Sequence, residues 1–163
     1  MSLLITQVDA NLLKQSEIDE CKNVFIASFT ALYKDKITVI GLQSQEELVN
    51  WLVSAFDTWF YKAKEGSNVQ LLLAKEEDKI SALAFTEEHD DYVYLAQMAI
   101  SPSSRITSQL MLHITDAYTN KPIRFVLRKI NTEARLACMS LCAKPSTFMY
   151  PGYDAEVYQG YEM

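Results

Sequence analysis

The chain has 163 residues, of which 49% are apolar, with both charge signs spread along it, so a disordered polymer is excluded. A formal charge of -6 disfavours nucleic acid, because most of the surface would repel phosphate. No apolar run approaches the ~20 residues that a bilayer span needs.

The pattern begins with a weakly alternating stretch, Ser2 to Asp9, suited to an edge strand. Ser16, with Asp19 three residues on, is placed to cap a helix whose apolar face is Ile18, Cys21, Phe25, Phe29 and Leu32. Ser44 and Glu47 form a second capping box. It opens a helix to about Lys64 that carries Leu48, Trp51, Leu52, Ala55, Phe56, Trp59 and Phe60, a set read as core packing. From Val69 the period changes. Val69–Ala74, Ile80–Thr86 and Tyr92–Ile100 are strand-length runs separated by the polar turns 76–79 and 87–91, which predicts an antiparallel meander.

Thr107 to Tyr118 is a short helix with Leu110 and Ile114 on one face, closed by Pro122. Ile123–Leu127 is a strand reached by helical crossover and therefore parallel to Tyr92–Ile100. Asn131–Ala143 is the last helix, and Thr147–Tyr150 and Ala155–Met163 are read as closing strands. No linker or repeat interrupts this order, so one domain over residues 1–163 is expected.

Charge is not evenly placed. Between Ser101 and Pro145 there are seven basic residues, Arg105, Lys121, Arg124, Arg128, Lys129, Arg135 and Lys144, against Asp116 and Glu133. A basic third on an acidic body suggests a compact anionic ligand. The same third contains a strand that stops at Ser101-Pro102-Ser103-Ser104-Arg105 and feeds a helix start, where free backbone N–H groups and the helix dipole favour an anion. Cys21, Cys138 and Cys142 are an odd number for a disulfide framework, and only His89 and His113 could join them around a metal, so none is expected. With no basic segment leading into an apolar one at the N-terminus, a cytoplasmic location is expected.

The segment from Tyr92 to Ala143 resembles the acetyl-CoA-binding half of the GCN5-related N-acetyltransferase (GNAT) family, whose loop reads Val-x-Pro-x-x-Arg/Gln-x-x-Gly-x-Gly/Ala. Ile100, Pro102 and Arg105 match, while Ser108 and Leu110 stand at the glycine positions. The order of elements along the chain is also the family's. The resemblance implies an α/β fold with a central mixed, mostly antiparallel sheet of about seven strands flanked by about four helices. It implies that Met98, Ala99 and Ile100 bond the pantetheine arm of acetyl-CoA through main chain. Arg105, Ile106, Thr107, Ser108, Gln109 and Leu110 would surround its pyrophosphate. Leu110 would bring a side chain toward space the phosphate uses.

In the later helix the family reads Asn-x-x-Ala-x-x-x-Tyr-x-x-x-Gly-Phe, and Asn131, Ala134, Cys138 and Cys142-Ala143 occupy these positions. Asn131 is also an N-cap. Cys138 stands where the family's tyrosine protonates the departing thiolate, so it is the catalytic candidate by resemblance. Its alternatives are a small core residue there, with water, Tyr118 or a C-terminal tyrosine as the proton source.

The ending Tyr158-Gln159-Gly160-Tyr161-Glu162 is similar to the family's last strand. Its tyrosines could cover the core, line an acceptor groove or form a contact between two copies of the chain, and Trp51 to Tyr61 could line an acceptor pocket. Gln97 stands where some members have a glutamate base; Glu87, Glu88 and His89 read as solvated turn residues, and His113 as structural. The function implied is acetyl-CoA-dependent transfer of acetyl to a primary amine by direct attack; the alternative is a non-catalytic module of the same fold that binds a ligand or protein.

Overall fold

A computed structural model gives the chain's architecture for residues 2–66 and 68–163. In chain order the elements are β1 (Leu3–Val8), a 3-10 turn (Ala10–Leu12), α1 (Gln15–Tyr33), α2 (Gln45–Lys64), β2 (Val69–Glu76), β3 (Lys79–Glu88), β4 (Val93–Ile100), α3 (Thr107–Ala117), β5 (Ile123–Arg128), α4 (Thr132–Ser140), β6 (Lys144–Ser146) and β7 (Tyr158–Glu162). The seven strands form one sheet in the order β1-β2-β3-β4-β5-β7-β6, which puts β1 at an edge as its weak alternation predicts. Pairing is antiparallel for β1–β2, β5–β7 and β6–β7, and parallel for β4–β5. No helix among the described residues is long and apolar enough to cross a membrane.

By their contacts the residues group into two compact units. One runs through Thr86 and includes Gln97–Thr107; the other comprises Glu87–Ala96 and Ser108–Met163.

In the first unit, α1 starts earlier than its sequence suggests. The Glu17 carboxylate accepts from the Lys14 backbone N–H at 3.1 Å, so the helix begins at Gln15 and Ser16 lies inside its first turn. The Ser44 cap of α2 is as expected, with Ser44 Oγ accepting from the Glu47 N–H at 3.1 Å. The α2 aromatics divide by face: Phe56, Trp59 and Phe60 are buried, whereas Trp51 is 39% and Tyr61 is 64% exposed. Phe25, Phe56 and Phe85 pack edge to face, Phe25–Phe56 at 5.7 Å and Phe56–Phe85 at 6.0 Å between ring centroids, which joins α1, α2 and β3 in one core. Glu77 and Asp78, the two residues between β2 and β3, both have positive φ (52° and 68°), the backbone of a tight hairpin. Strand β3 runs on through Glu88, so the second polar turn is shorter than read from sequence and Glu87 is a strand residue.

In the second unit, α4 ends at Ser140, earlier than expected, in a Schellman close: the Ala143 N–H donates to Cys138 O and the Cys142 N–H to Met139 O, both at 3.1 Å. Cys142 takes φ 70° there. The two closing strands also differ from expectation. Thr147–Tyr150 is not part of a strand; β6 precedes it at Lys144–Ser146. Residues 155–157 turn instead of pairing, because Asp154 collects the N–H groups of Glu156, Val157 and Tyr158. Gly160 is needed for close approach. A Cβ there would meet Phe148 O at 1.9 Å, so only glycine lets β7 lie against the chain leaving β6.

Candidate functional site

Strand β4 joins β5 through Val93↔Ile123 and Tyr94↔Arg124 and makes no further rung with it among the described residues, although β4 continues to Ile100. From Arg124 onward β5 has β7 on its other side. The parallel ladder is thus two residue pairs long.

Beyond Tyr94, Gln97 and Met98 are half-buried and Ala99 is fully buried. The Ile100 N–H donates to Ser28 Oγ of α1 at 3.1 Å, so that main-chain donor is taken within the protein. The Ser101 N–H donates to Ser81 O at 2.8 Å, and the Ser104 N–H closes a turn onto Ser101 O at 2.9 Å. Ser104 Oγ donates to Glu76 Oε1, the last residue of β2. That bond, and a second from Ser81, hold the Glu76 carboxyl below the usual carboxylate range. Arg105 is exposed, and among the described residues its guanidinium reaches the carbonyls of Pro102 and Ser104, each at 3.3 Å.

Ile106 is buried and anchors the loop where α3 begins. Ser108 and Gln109 of the first turn of α3 are exposed, and Thr107 is half-buried. The Leu110 side chain is fully buried with Met111 and Ile114, so it belongs to the core and does not project into solvent beside the loop. What this segment offers an anion is main chain: the first-turn N–H groups of α3 have no partners inside the helix. A negative carboxylate, Glu76, is tied to the loop that precedes them.

Asn131 caps α4, its Oδ1 accepting from the Ala134 N–H at 3.2 Å. Cys138 is 7% exposed, and burial pushes its thiol up to about 11. A thiol in that state is a weaker acid than a free one. Tyr161 is buried, and desolvation raises its phenol.

A second constellation lies wholly in the second unit, around Glu87. This residue is 7% exposed. Its Oε1 accepts from the Tyr150 hydroxyl at 2.8 Å and lies 2.8 Å from His89 Nε2. Tyr150 stacks on Tyr94 (centroids 4.0 Å, planes 12° apart) and His89 stacks on Tyr92 (4.4 Å, 13°). Desolvation, then the bond to Glu87, raises the Tyr150 phenol, which keeps its proton for donation. Tyr94, fully buried, is raised too, by desolvation first. Sequence reasoning took Glu87 and His89 for solvated turn residues because the acidic run 87–91 looks like a hairpin tip. Strand β3 is buried from Ile80 through Glu87 without alternation, so no local pattern sets Glu87 apart, and its partner Tyr150 is 63 residues away.

No protein-family model matches the sequence, and no curated protein resembles it in sequence. Solved structures do resemble the fold. The PaiA N-acetyltransferase from Thermoplasma acidophilum, in complex with coenzyme A, superposes with a TM-score of 0.73 at 12% identity, over 99% of this chain and 98% of that one. The N-acetyltransferase PseH from Campylobacter jejuni, in complex with acetyl coenzyme A, gives 0.61 at 14% identity, over 98% of each chain. ElaA from Escherichia coli gives 0.57 at 13% identity, over 99% of each. The chain has the GNAT fold.

Proposed function

We propose that the chain is an acetyl-CoA-dependent N-acyltransferase that acetylates a primary amine by direct attack on the thioester. One observation carries the reading: the N-acetyltransferase fold, with a parallel β4–β5 ladder that stops after Tyr94 while β4 continues into the Ser101–Arg105 loop and the start of α3. The run of β4 at Met98 and Ala99, which has no β5 partner, supplies main-chain groups for the pantetheine arm. Ile100 contributes its carbonyl, since its N–H is held by Ser28.

Arg105 and the first-turn N–H groups of Thr107, Ser108, Gln109 and Leu110 receive the pyrophosphate, charge-assisted hydrogen bonds doing what glycine-mediated approach does in the family's consensus. Ile106 and Asn131 act by position, the one anchoring the loop and the other starting α4. The neutral amine attacks the acetyl carbonyl carbon, a tetrahedral intermediate forms, the C–S bond breaks and the amine's second proton leaves to solvent. The thiolate takes its proton from solvent more readily than from Cys138, whose buried thiol is pushed to about 11.

Isothermal titration with acetyl-CoA and with desulfo-CoA tests this. One site saturating at sub-millimolar ligand is expected, and absence of heat at millimolar ligand for both would overturn it. A second reading, a non-catalytic module of the same fold, is favoured by one observation: the Glu76 carboxylate is bonded to the loop. Titration without heat selects that reading.

A further inference from the structure

The Glu87 constellation is not used by the acetyl-CoA segment, and its chemistry is that of a cation site. Two cations stand near it, and each already has its own acid. Lys121 Nζ is 2.7 Å from Glu88 Oε2 and also donates to His89 O; Arg124 Nε is 2.7 Å from Glu162 Oε1 and sits 5.0 Å over the Tyr92 ring. Glu87 has neither a lysine nor an arginine partner among the described residues. Both of its hydrogen-bonded contacts, Tyr150 and His89, are on Oε1.

Glu87 Oε2 makes no hydrogen bond among the described residues, and it is not among their fully buried unpartnered side-chain atoms, the one such atom being Thr30 Oγ1 of α1. Glu87 Oε2 is therefore still within reach of solvent. Tyr150 and His89, bonded to Oε1, bring the stacked pairs Tyr94–Tyr150 and Tyr92–His89 beside this carboxylate, and His89, Tyr92 and Tyr150 are each half-buried. A nearly buried carboxylate with one committed oxygen and one open one, walled by aromatic rings, is costly to keep unless a cation completes it. Ammonium groups suit such a wall, because they bind both the carboxylate and the negative faces of the rings.

We propose that Glu87 Oε2, with the walls formed by Tyr150, Tyr92 and His89, binds the ammonium of the amine acceptor. The role as acceptor site rests on the acetyl-transfer reading above; the binding of an alkylammonium does not. The site selects a primary alkylammonium over its neutral isostere. The chain's charge of -6 adds a general attraction for cations, which the test must separate from the site.

The test follows amide shifts of the full chain in two-dimensional NMR during titration with n-butylamine at pH 7, with 1-butanol as the uncharged control. Shifts clustered on residues 87–94 and 148–153, saturating with the amine and absent with the alcohol, are expected. Glu87→Gln weakens this binding at least tenfold. Glu88→Gln, which removes the same charge from the exposed neighbour, changes it less than twofold. Equal losses in the two variants, scattered shifts, or equal response to the alcohol would overturn the site. If Glu87→Gln does not fold, the wild-type shift map and the alcohol control decide alone. Acetyl-CoA titration of wild type and Glu87→Gln separates the two readings. Amine binding without acetyl-CoA binding leaves the cation site standing and removes its acceptor role; acetyl-CoA binding without amine binding does the reverse.

Discussion

Glu76 decides how well the Ser101–Arg105 loop can hold an anion. Its carboxylate accepts from Ser104 and is kept ionised by that bond, so it opposes Arg105 at the place where a pyrophosphate is proposed. Replacing Glu76 by Gln keeps a hydrogen-bond acceptor for Ser104 and removes the charge. CoA should then bind about two- to five-fold more tightly at 50 mM NaCl, and the gain should disappear at 500 mM because the repulsion is screened. Unchanged affinity at low salt would place CoA away from this loop. Leu110 teaches the complementary lesson. In the motif it stands for a glycine and looks like an obstruction, but its side chain is in the core, so truncation to Ala should cost on the order of 2–5 kcal/mol and open nothing at the surface.

At the scale of elements, caps explain the main differences between expected and observed helix ends. The Ser44 cap was legible because Ser44 and Glu47 are three residues apart in sequence, although the Glu47 carboxylate accepts from the Gln43 N–H and not from Ser44 as a full box requires. The start of α1 was not, since Ser16 and Lys14 compete for the cap and the Glu17 bond to the Lys14 N–H decides between them. The end of α4 turns on Cys142, whose φ of 70° is the left-handed conformation that glycine adopts without strain. This is the position where the family motif has glycine, and the Schellman bonds of Cys142 and Ala143 give the reason. A left-handed side-chain residue costs roughly 1–2 kcal/mol, and glycine gives back part of that through its freedom in the unfolded chain. Cys142→Gly should therefore stabilise by about 0.5–1 kcal/mol, read as a higher urea midpoint with unchanged slope. A lower midpoint would mean that the cysteine makes contacts worth more than the strain.

For the molecule as a whole, buried acids that ionise only at high pH set an alkaline limit. Burial pushes the Cys21 thiol up to about 12 and the Cys138 thiol up to about 11, both from an ordinary 9.0. The folded state favours the neutral thiols, so their contribution is fully present below pH 9. Above it the unfolded chain loses protons that the native chain retains, and stability falls by at most about 1.4 kcal/mol per pH unit for each thiol. Tyr94 and Tyr150, also raised by desolvation, add to the fall above pH 10. Urea midpoints at pH 8, 9 and 10 should drop mainly in the last interval, and Cys138→Ala should make that drop shallower. A flat profile from pH 8 to 10 would contradict the burial of both thiols.

Sequence by itself determined the element order, the parallel relation of β4 and β5, and the Ser44 and Asn131 caps. All of these depend on period, on short-range side-chain-to-backbone bonds, or on connection length, which are written locally. Tertiary structure decided where the β4–β5 ladder stops, why Gly160 must be glycine, and that Leu110 turns into the core. It also decided that Glu87 leaves the solvated turn to meet Tyr150 from the far end of the chain. These features depend on which distant backbone or side chain arrives beside a given residue, and local pattern carries no record of that.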